Sequence, residues 1–448
     1  RDAAGTLGGR LLVLAGAGTG KTRVVTHRIA NLIRHGTAPD RILAVTFTRK
    51  AAGEMQDRAL ALLKAKSPGH GARRGGKARQ ARPQISTFHA LCVQVLRRHI
   101  TRLGYPERFA ICDRGDQESL ARAALREIRV PDETLRPGDL IAIISGWKSR
   151  SLQPSAAAAA AITDREHLAA AAYRRYQTQL KARGMVDFDD LLLCTERLLV
   201  DHPAIRREEA GRFDHILVDE YQDTNGSQYR IVKSLAMPHR NLCVVGDDDQ
   251  SIYGWRGAEV THILRFKEHW PDAKVVRLEE NYRSAGAILQ FANTLIAFNR
   301  HRHDKALRPA RGAGPRPRIL QLQDEAKEAT AVVADILQTL YDPSDSARPG
   351  EPGRPRPGIR PGDFAILCRT NEQPRAFETE LRRVNLPYVL VGGMSFFDRK
   401  EVRDLLAYLK TIDNPADEPS LLRIINTPPR GLGPGAVKQL VAHAVERG

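Results

Sequence analysis

The apolar run LLVL (residues 11–14) passes directly into AGAGTGKT (residues 15–22), and Val24, Val25, Ile29, Leu32 and Ile33 then recur at helical spacing. That order reads as a buried parallel strand, a glycine loop and a helix. Glycines in such a loop let backbone N–H groups turn inward and cradle phosphate oxygens at the helix N-terminus. Ala15, Gly16, Ala17, Gly18, Thr19 and Gly20 would form the cradle. Lys21 would reach the β and γ phosphates of a nucleotide, and the Thr22 hydroxyl would ligate Mg²⁺. Ala15 stands where the strict pattern has glycine. The plain alternative, a glycine turn with an incidental lysine, is disfavoured by the flanking strand and helix.

Working outward, a second apolar run, ILAV (residues 42–45), feeds Thr46, Phe47 and Thr48 and then a helix through Ala51, Met55 and Leu62. This alternation predicts an α/β fold with a doubly wound parallel sheet and right-handed crossovers. Residues 66–82 interrupt it with six basic side chains and no acid, and read as a solvated loop. Residues 89–200 look mainly helical, with an alanine-rich patch at 155–161 after Pro154. Strands are expected at 216–218, 242–245 and 275–278, and a helix at 284–298. A further α/β stretch includes 364–367, 387–391 and a helix around 402–409. Between its parts, 342–362 is dense in Pro, Gly and Arg and reads as an extended loop.

The 448 residues suggest about three domains at roughly 150 residues each. A hydrophobic share of 42% against 27% charged is ordinary for a globular protein. Lys plus Arg is 70 against 52 Asp plus Glu, a net charge of +18, which favours a polyanionic partner, nucleic acid first. No apolar run approaches the ~18 residues of a membrane span. The five cysteines are scattered, without CxxC spacing, which argues against a zinc ribbon or a disulfide framework and fits a reducing cytoplasm. Arg1 at the start, and an end just past an apolar helix pattern, give the expectation of a fragment.

The chemistry needs an acidic pair at a strand end. ILVDE (residues 216–220) supplies it: Asp219 would hold Mg²⁺, and Glu220 would act as general base on the attacking water. ATP hydrolysis is the natural reading. The run at 242–245 ends in GDDDQSIYGWRG (residues 246–257), where Gln250 is placed to contact both γ-phosphate and water. Tyr253 and Trp255 are rings in a polar loop. Bases of single-stranded DNA stack on such rings for ~1–3 kcal/mol each. Anchoring of the loop to the core is an equal reading for Tyr253, while Trp255 favours stacking.

Six segments in order then carry a resemblance: AGAGTGKTR (15–23), VTFTRKAAGEM (45–55), STFHALC (86–92), LVDEYQDTN (217–225), VVGDDDQSIYGWRGA (244–258) and LEENYRS (278–284). Together they resemble the UvrD/Rep/PcrA group of superfamily 1 DNA helicases. The likeness runs on through FFDRKEVRDLLAYLK (396–410) to INTPPRGLGP (425–434), closer to the Rep and PcrA branch than to the recombination nuclease–helicases. The resemblance implies that Arg283 contacts the γ-phosphate, with Tyr282 stacking on adenine and Arg23 on the other side of that base. It also implies DNA contacts by Thr46, Phe47, Phe88, His89, Tyr253, Trp255 and Arg256. For His89 a satisfied helix-start histidine is an equal reading, and an ion pair with Glu279 or Glu280 is the plain alternative for Arg283.

The family fold is two RecA-like domains with helical insertions. Here it implies domain 1A at 1–88 and 186–280, insertion 1B at 89–185, the first part of 2A at 281–412 and the start of 2B at 413–448. The family's adenine-reading glutamine motif normally lies just upstream of Arg1, and its late motifs would follow Gly448. Arg49 stands where Asn is usual. The expected activity is an ATP- and Mg²⁺-dependent 3′-to-5′ translocase that separates duplex DNA in replication or repair. It would act on single-stranded and duplex DNA as a monomer or weak dimer, with an accessory loading protein. Two other classes are a helicase subunit of a recombination nuclease and, for this chain alone, an ATP- and DNA-binding module without efficient turnover.

Overall fold

A computed structural model of the chain describes residues 2–64, 81–342, 354–391, 400–415 and 417–447. Most of the basic loop, at 66–80, lies outside the described residues, as do 343–353 of the proline-rich stretch and 396–399 of the late motif. The chain divides into two compact units, Arg1–Pro317 and Arg318–Gly448.

The first unit is built on strands β1 Arg10–Ala15, β2 Ile42–Thr46, β3 Gln84–Thr87, β4 His215–Val218, β5 Leu242–Gly246 and β6 Lys274–Leu278. They form a six-stranded sheet in the order β3-β2-β4-β5-β1-β6, with every neighbouring pair parallel. β1, β2 and β5 are buried along their whole length, which is why each reads as an unbroken apolar run rather than an alternating one. Successive side chains still point to opposite faces. Leu11 and Val13 meet Val25 and Ile29 of helix α1 (Lys21–Arg34) and Met55 of α2 (Arg49–Lys64). Leu12 and Leu14 join the opposite core with Phe88, Leu91 and Leu96 of α3 (Phe88–His99). Each such residue, fully buried, contributes roughly 1.5–3 kcal/mol.

The helical stretch that follows carries its own core. Helices α4 (Arg114–Glu127), α5 (Pro137–Ser149) and α6 (Asp164–Ala182) bury Leu120, Leu125, Leu140, Ile144, Trp147, Tyr173 and Tyr176 together. This core begins at Cys112, because α3 turns its apolar face onto the sheet instead. A buried ion cluster joins these helices to α7 (Phe188–Asp201). There the Lys148 ammonium lies 2.7 Å from Asp187 and 2.8 Å from Asp190, and the Tyr176 hydroxyl donates to Asp187 at 2.9 Å. Helix α8 (Gly226–Ala236) begins in a capping box from Asn225.

Beyond β6, Glu280–Asn281 pairs with Arg308–Pro309 around helix α9 (Gly286–Ile296). This pairing, with side-chain bonds from residues 302–305 back to Asp247–Asp249, keeps 281–317 in the first unit. In the second unit, α10 (Glu325–Leu340) and α11 (Pro374–Arg383) pack through Val333, Ile336, Leu340, Leu381 and Leu386. Helices α12 (Lys400–Asp413), α13 (Glu418–Ile424) and α14 (Pro434–Arg447) follow. The expected strands at 364–367 and 387–391 are not formed; Leu367, Val389 and Val391 are 94%, 87% and 91% exposed. A strand exists only through hydrogen bonds to a neighbour, and an apolar pattern cannot supply the neighbour.

Candidate nucleotide and nucleic-acid site

The loops after β1, β4 and β5 emerge side by side, because these strands are adjacent in the order β4-β5-β1. Ligands bind at such carboxyl ends where the strand order reverses. After β1, Gly18 and Gly20 adopt φ of 69° and 93°, a left-handed conformation that admits glycine cheaply. Gly18 is also tightly approached: a Cβ there would stand 2.6 Å from Asn281 Nδ2 and 2.7 Å from Arg283 Cβ. Gly20 caps α1, whose first residues are Lys21 and Thr22.

The side chains expected to act on a nucleotide converge. The Lys21 ammonium donates to Glu220 Oε2 at 2.9 Å and to Gln250 Oε1 at 3.2 Å. The Thr22 hydroxyl donates to Asp219 Oδ2 at 3.4 Å. Glu220 itself has φ 51° and ψ 45°, a left-handed conformation that costs a non-glycine residue of order 1–3 kcal/mol. Its backbone N–H donates to Asp219 Oδ1 at 3.0 Å. Burial first, and the Glu220 charge second, push the Asp219 carboxyl up to about 6. Asp223 is likewise raised to about 6 by burial and by Glu220. Hydroxyl and carboxylate oxygens are the donor set a hard divalent cation takes. A cation held by Thr22 and Asp219 would relieve the strained ionisation of Asp219.

Residues 280–284 close the other side. Asn281 donates to the Ala17 carbonyl at 2.6 Å and accepts from the N–H groups of Arg283 (2.9 Å) and Ser284 (2.7 Å). The Tyr282 N–H donates to the Gly18 carbonyl at 3.0 Å. The Tyr282 ring is 57% exposed and its hydroxyl donates to Glu280 at 2.5 Å, which raises its pKa, while the Arg23 charge acts against that rise. Arg283 is exposed, and among the described residues it forms no ion pair with Glu279 or Glu280.

The residues expected at DNA divide. Phe47 and Tyr253 stack with ring centroids 5.9 Å apart and planes 11° from parallel. Trp255 is 75% exposed, with the Arg256 guanidinium 4.5 Å from its ring centroid. His89 is half-buried, which lowers its pKa, and it meets Phe188 edge-on at 6.1 Å. Thr46 and Phe88 are only 1% and 2% exposed, and Phe88 is a core group. Neither side chain presents a surface to a strand in this structure.

Several residues join the site without having been singled out. Gln222 donates to Glu220 at 3.0 Å and to Asp223 at 3.1 Å, and accepts from the Asp247 N–H at 3.0 Å. Gln222 and Asn281 lie inside quoted motifs, so their positions were visible but their partners were not. Phe188 is 51% exposed, an apolar ring at a helix start that periodicity assigns to a core. A metal cluster of the nuclease kind is not evident: among the described residues one group, His99, Glu208 and Glu209, brings ligand atoms together. Arg98 already donates to both oxygens of Glu209, at 2.8 and 2.7 Å. No described helix is long and apolar enough to cross a membrane.

Residues 1–271 match the UvrD/REP helicase N-terminal domain, and residues 276–448 match the UvrD-like helicase C-terminal domain. Over 446 residues the chain is 41% identical to the ATP-dependent DNA helicase PcrA of Staphylococcus epidermidis RP62A, covering 99% of this chain and 57% of that protein. It is 40% identical to the PcrA helicase of Staphylococcus aureus NCTC 8325 over the same shares. The chain thus spans 57% of the length of these relatives.

Proposed function

The chain belongs to the UvrD/Rep helicase family, and from that premise we propose that it binds ATP with Mg²⁺ at the carboxyl ends of β1, β4 and β5 and couples hydrolysis to movement on single-stranded DNA. The observation that carries the reading is the convergence of Lys21, Glu220 and Gln250 within hydrogen-bond reach. Lys21 neutralises Glu220, 2.9 Å from its ammonium. Phosphate oxygens would draw Lys21 away, leaving Glu220 free to accept a proton from an attacking water. Mg²⁺ on Thr22 and Asp219 would supply charge neutralisation for the phosphates. Arg283, exposed beside Gly18, would donate to the γ-phosphate, and Tyr282 with Arg23 would enclose the base.

The DNA reading rests on the Phe47–Tyr253 stack and the exposed Trp255–Arg256 pair, which offer flat faces to unpaired bases. ATP and ADP would grip the strand differently only through their differential affinity for two arrangements of the protein. The 3′-to-5′ polarity, duplex separation in replication or repair, domains 1A, 1B, 2A and 2B, and a loading partner are carried over from the family. Lys21→Ala tests the centre of the proposal. It abolishes DNA-stimulated ATP hydrolysis and leaves salt-sensitive DNA binding intact. Hydrolysis at the parent rate by that variant refutes the phosphate-site assignment.

A further inference from the structure

Between α9 and Pro309 runs His301-Arg302-His303-Asp304-Lys305, a segment outside every motif quoted above. It closes on the three successive aspartates that follow β5. The Arg302 guanidinium donates to both oxygens of Asp249, each at 2.7 Å. The His303 backbone N–H donates to Asp248 Oδ2 at 2.8 Å. The Lys305 ammonium reaches all three carboxylates, at 2.6 Å to Asp248 and 3.0 Å to each of Asp247 and Asp249. Lys305 and Asp247 side chains are each 3% exposed, so solvent does not screen this contact as it does a surface pair. Burial works against the lysine charge, but Asp248 and Asp247 outweigh it and raise the Lys305 pKa.

Asp247 is a branch point. Its Oδ1 accepts from Lys305 at 3.0 Å, and its Oδ2 accepts from the Gln250 amide nitrogen. The other end of that amide, Oε1, accepts from Lys21 at 3.2 Å, and Lys21 in turn holds Glu220 at 2.9 Å. A carboxamide has one donor end and one acceptor end. With the nitrogen engaged by Asp247, the oxygen is the end turned to the phosphate loop. The chain of bonds therefore runs from Lys305, in the stretch matching the C-terminal family domain, to Gln250 and Lys21, in the stretch matching the N-terminal one.

We infer that Lys305 is a positioning residue for the hydrolytic site: by fixing Asp247 it sets which end of the Gln250 amide faces the terminal phosphate. The inference rests on the ATP reading above. Its competitor is a plain structural role, in which Lys305 only neutralises three acids. Two variants separate the readings. Lys305→Met removes the link. Lys305→Met with Asp248→Asn also removes one of the acids left without its partner, while Asp247 remains unlinked.

The readout is single-turnover hydrolysis of ATP with Mg²⁺ and oligo(dT) by excess 448-residue chain, beside its ATP and ADP affinities. Lys305→Met lowers the rate constant about tenfold and shifts ATP affinity less than about threefold, the pattern of a misaligned group rather than a lost binding contact. Lys305→Arg restores the rate. The double variant recovers thermal stability and not the rate. A parent rate in Lys305→Met, or recovery of both quantities in the double variant, overturns the inference. If the parent chain does not turn over, preference for ATP over ADP gives the reading: Lys305→Met reduces it about threefold through Gln250, and an unchanged preference overturns the inference. Nucleotide affinity indifferent to Lys21→Ala would instead sink the ATP reading beneath it.

Discussion

Replacing Asp219 by Asn makes the nucleotide-free protein more stable at neutral pH while removing its response to magnesium. Asp219 is 3% exposed, and burial with the adjacent Glu220 raises its carboxyl from 3.8 to about 6. Two pKa units correspond to roughly 3 kcal/mol, an upper bound for this one group. The sign follows from proton counting. Between about pH 3.8 and 6 the folded state binds more protons at Asp219 than the unfolded chain does, so its contribution to stability falls as pH rises through that window. Asn cannot ionise; its Oδ1 still accepts the Glu220 N–H, and its amide nitrogen, in the place of Oδ2, donates to the Thr22 hydroxyl, which turns to accept. The stability gap between variant and parent therefore widens in favour of Asn by up to roughly 3 kcal/mol between pH 4 and 7.5. Urea midpoints followed by tryptophan fluorescence measure it, because Trp147, Trp255 and Trp270 all lie in the Arg1–Pro317 unit. Adding Mg²⁺ at pH 7.5 stabilises the parent and not the variant, which narrows the gap. A gap that stays constant across the pH range, or a variant that responds to Mg²⁺ like the parent, refutes the reasoning.

Two further expectations follow from burial and exposure. Lys148→Met strands Asp187 and Asp190, 3% and 1% exposed, without a countercharge and costs about 3–5 kcal/mol in the same urea assay. Adding Asp187→Asn and Asp190→Asn recovers most of that loss, since Asn at 187 still caps α7; a single-variant cost under about 1 kcal/mol shows the charge cluster to be unimportant. Trp255→Ala, at a 75% exposed ring, leaves the urea midpoint almost unchanged but weakens binding to a fluorescent oligo(dT) by about 1–3 kcal/mol. A fall in stability of similar size with no fall in affinity assigns the ring to packing.

Much of the architecture was legible from local pattern, because parallel strands buried on both faces must be apolar end to end. LLVL, ILAV and the run at 242–245 are each strands, and each is followed by the polar loop that patterning assigned to it. β3 is not legible in the pattern, because Gln84–Thr87 holds one isoleucine among polar residues and is a strand only through its pairing with β2. The runs at 364–367 and 387–391 err the opposite way: they have the composition of strands and no pairing. Phe88, for which the resemblance implies a DNA contact, is buried where α3 turns onto the sheet.

The sequence by itself determined the make-up of the glycine loop, since glycine freedom, a lysine and a hydroxyl at fixed spacing are properties of consecutive residues. Only the tertiary structure decided which groups face that loop. The strand order brings Glu220 and Gln250, 199 and 229 residues from Lys21, within 2.9 and 3.2 Å of its ammonium. The same crossing of chain segments seats Lys305 on Asp247, a pairing no local pattern announces, because buried charges are matched across space and their partners are chosen by topology.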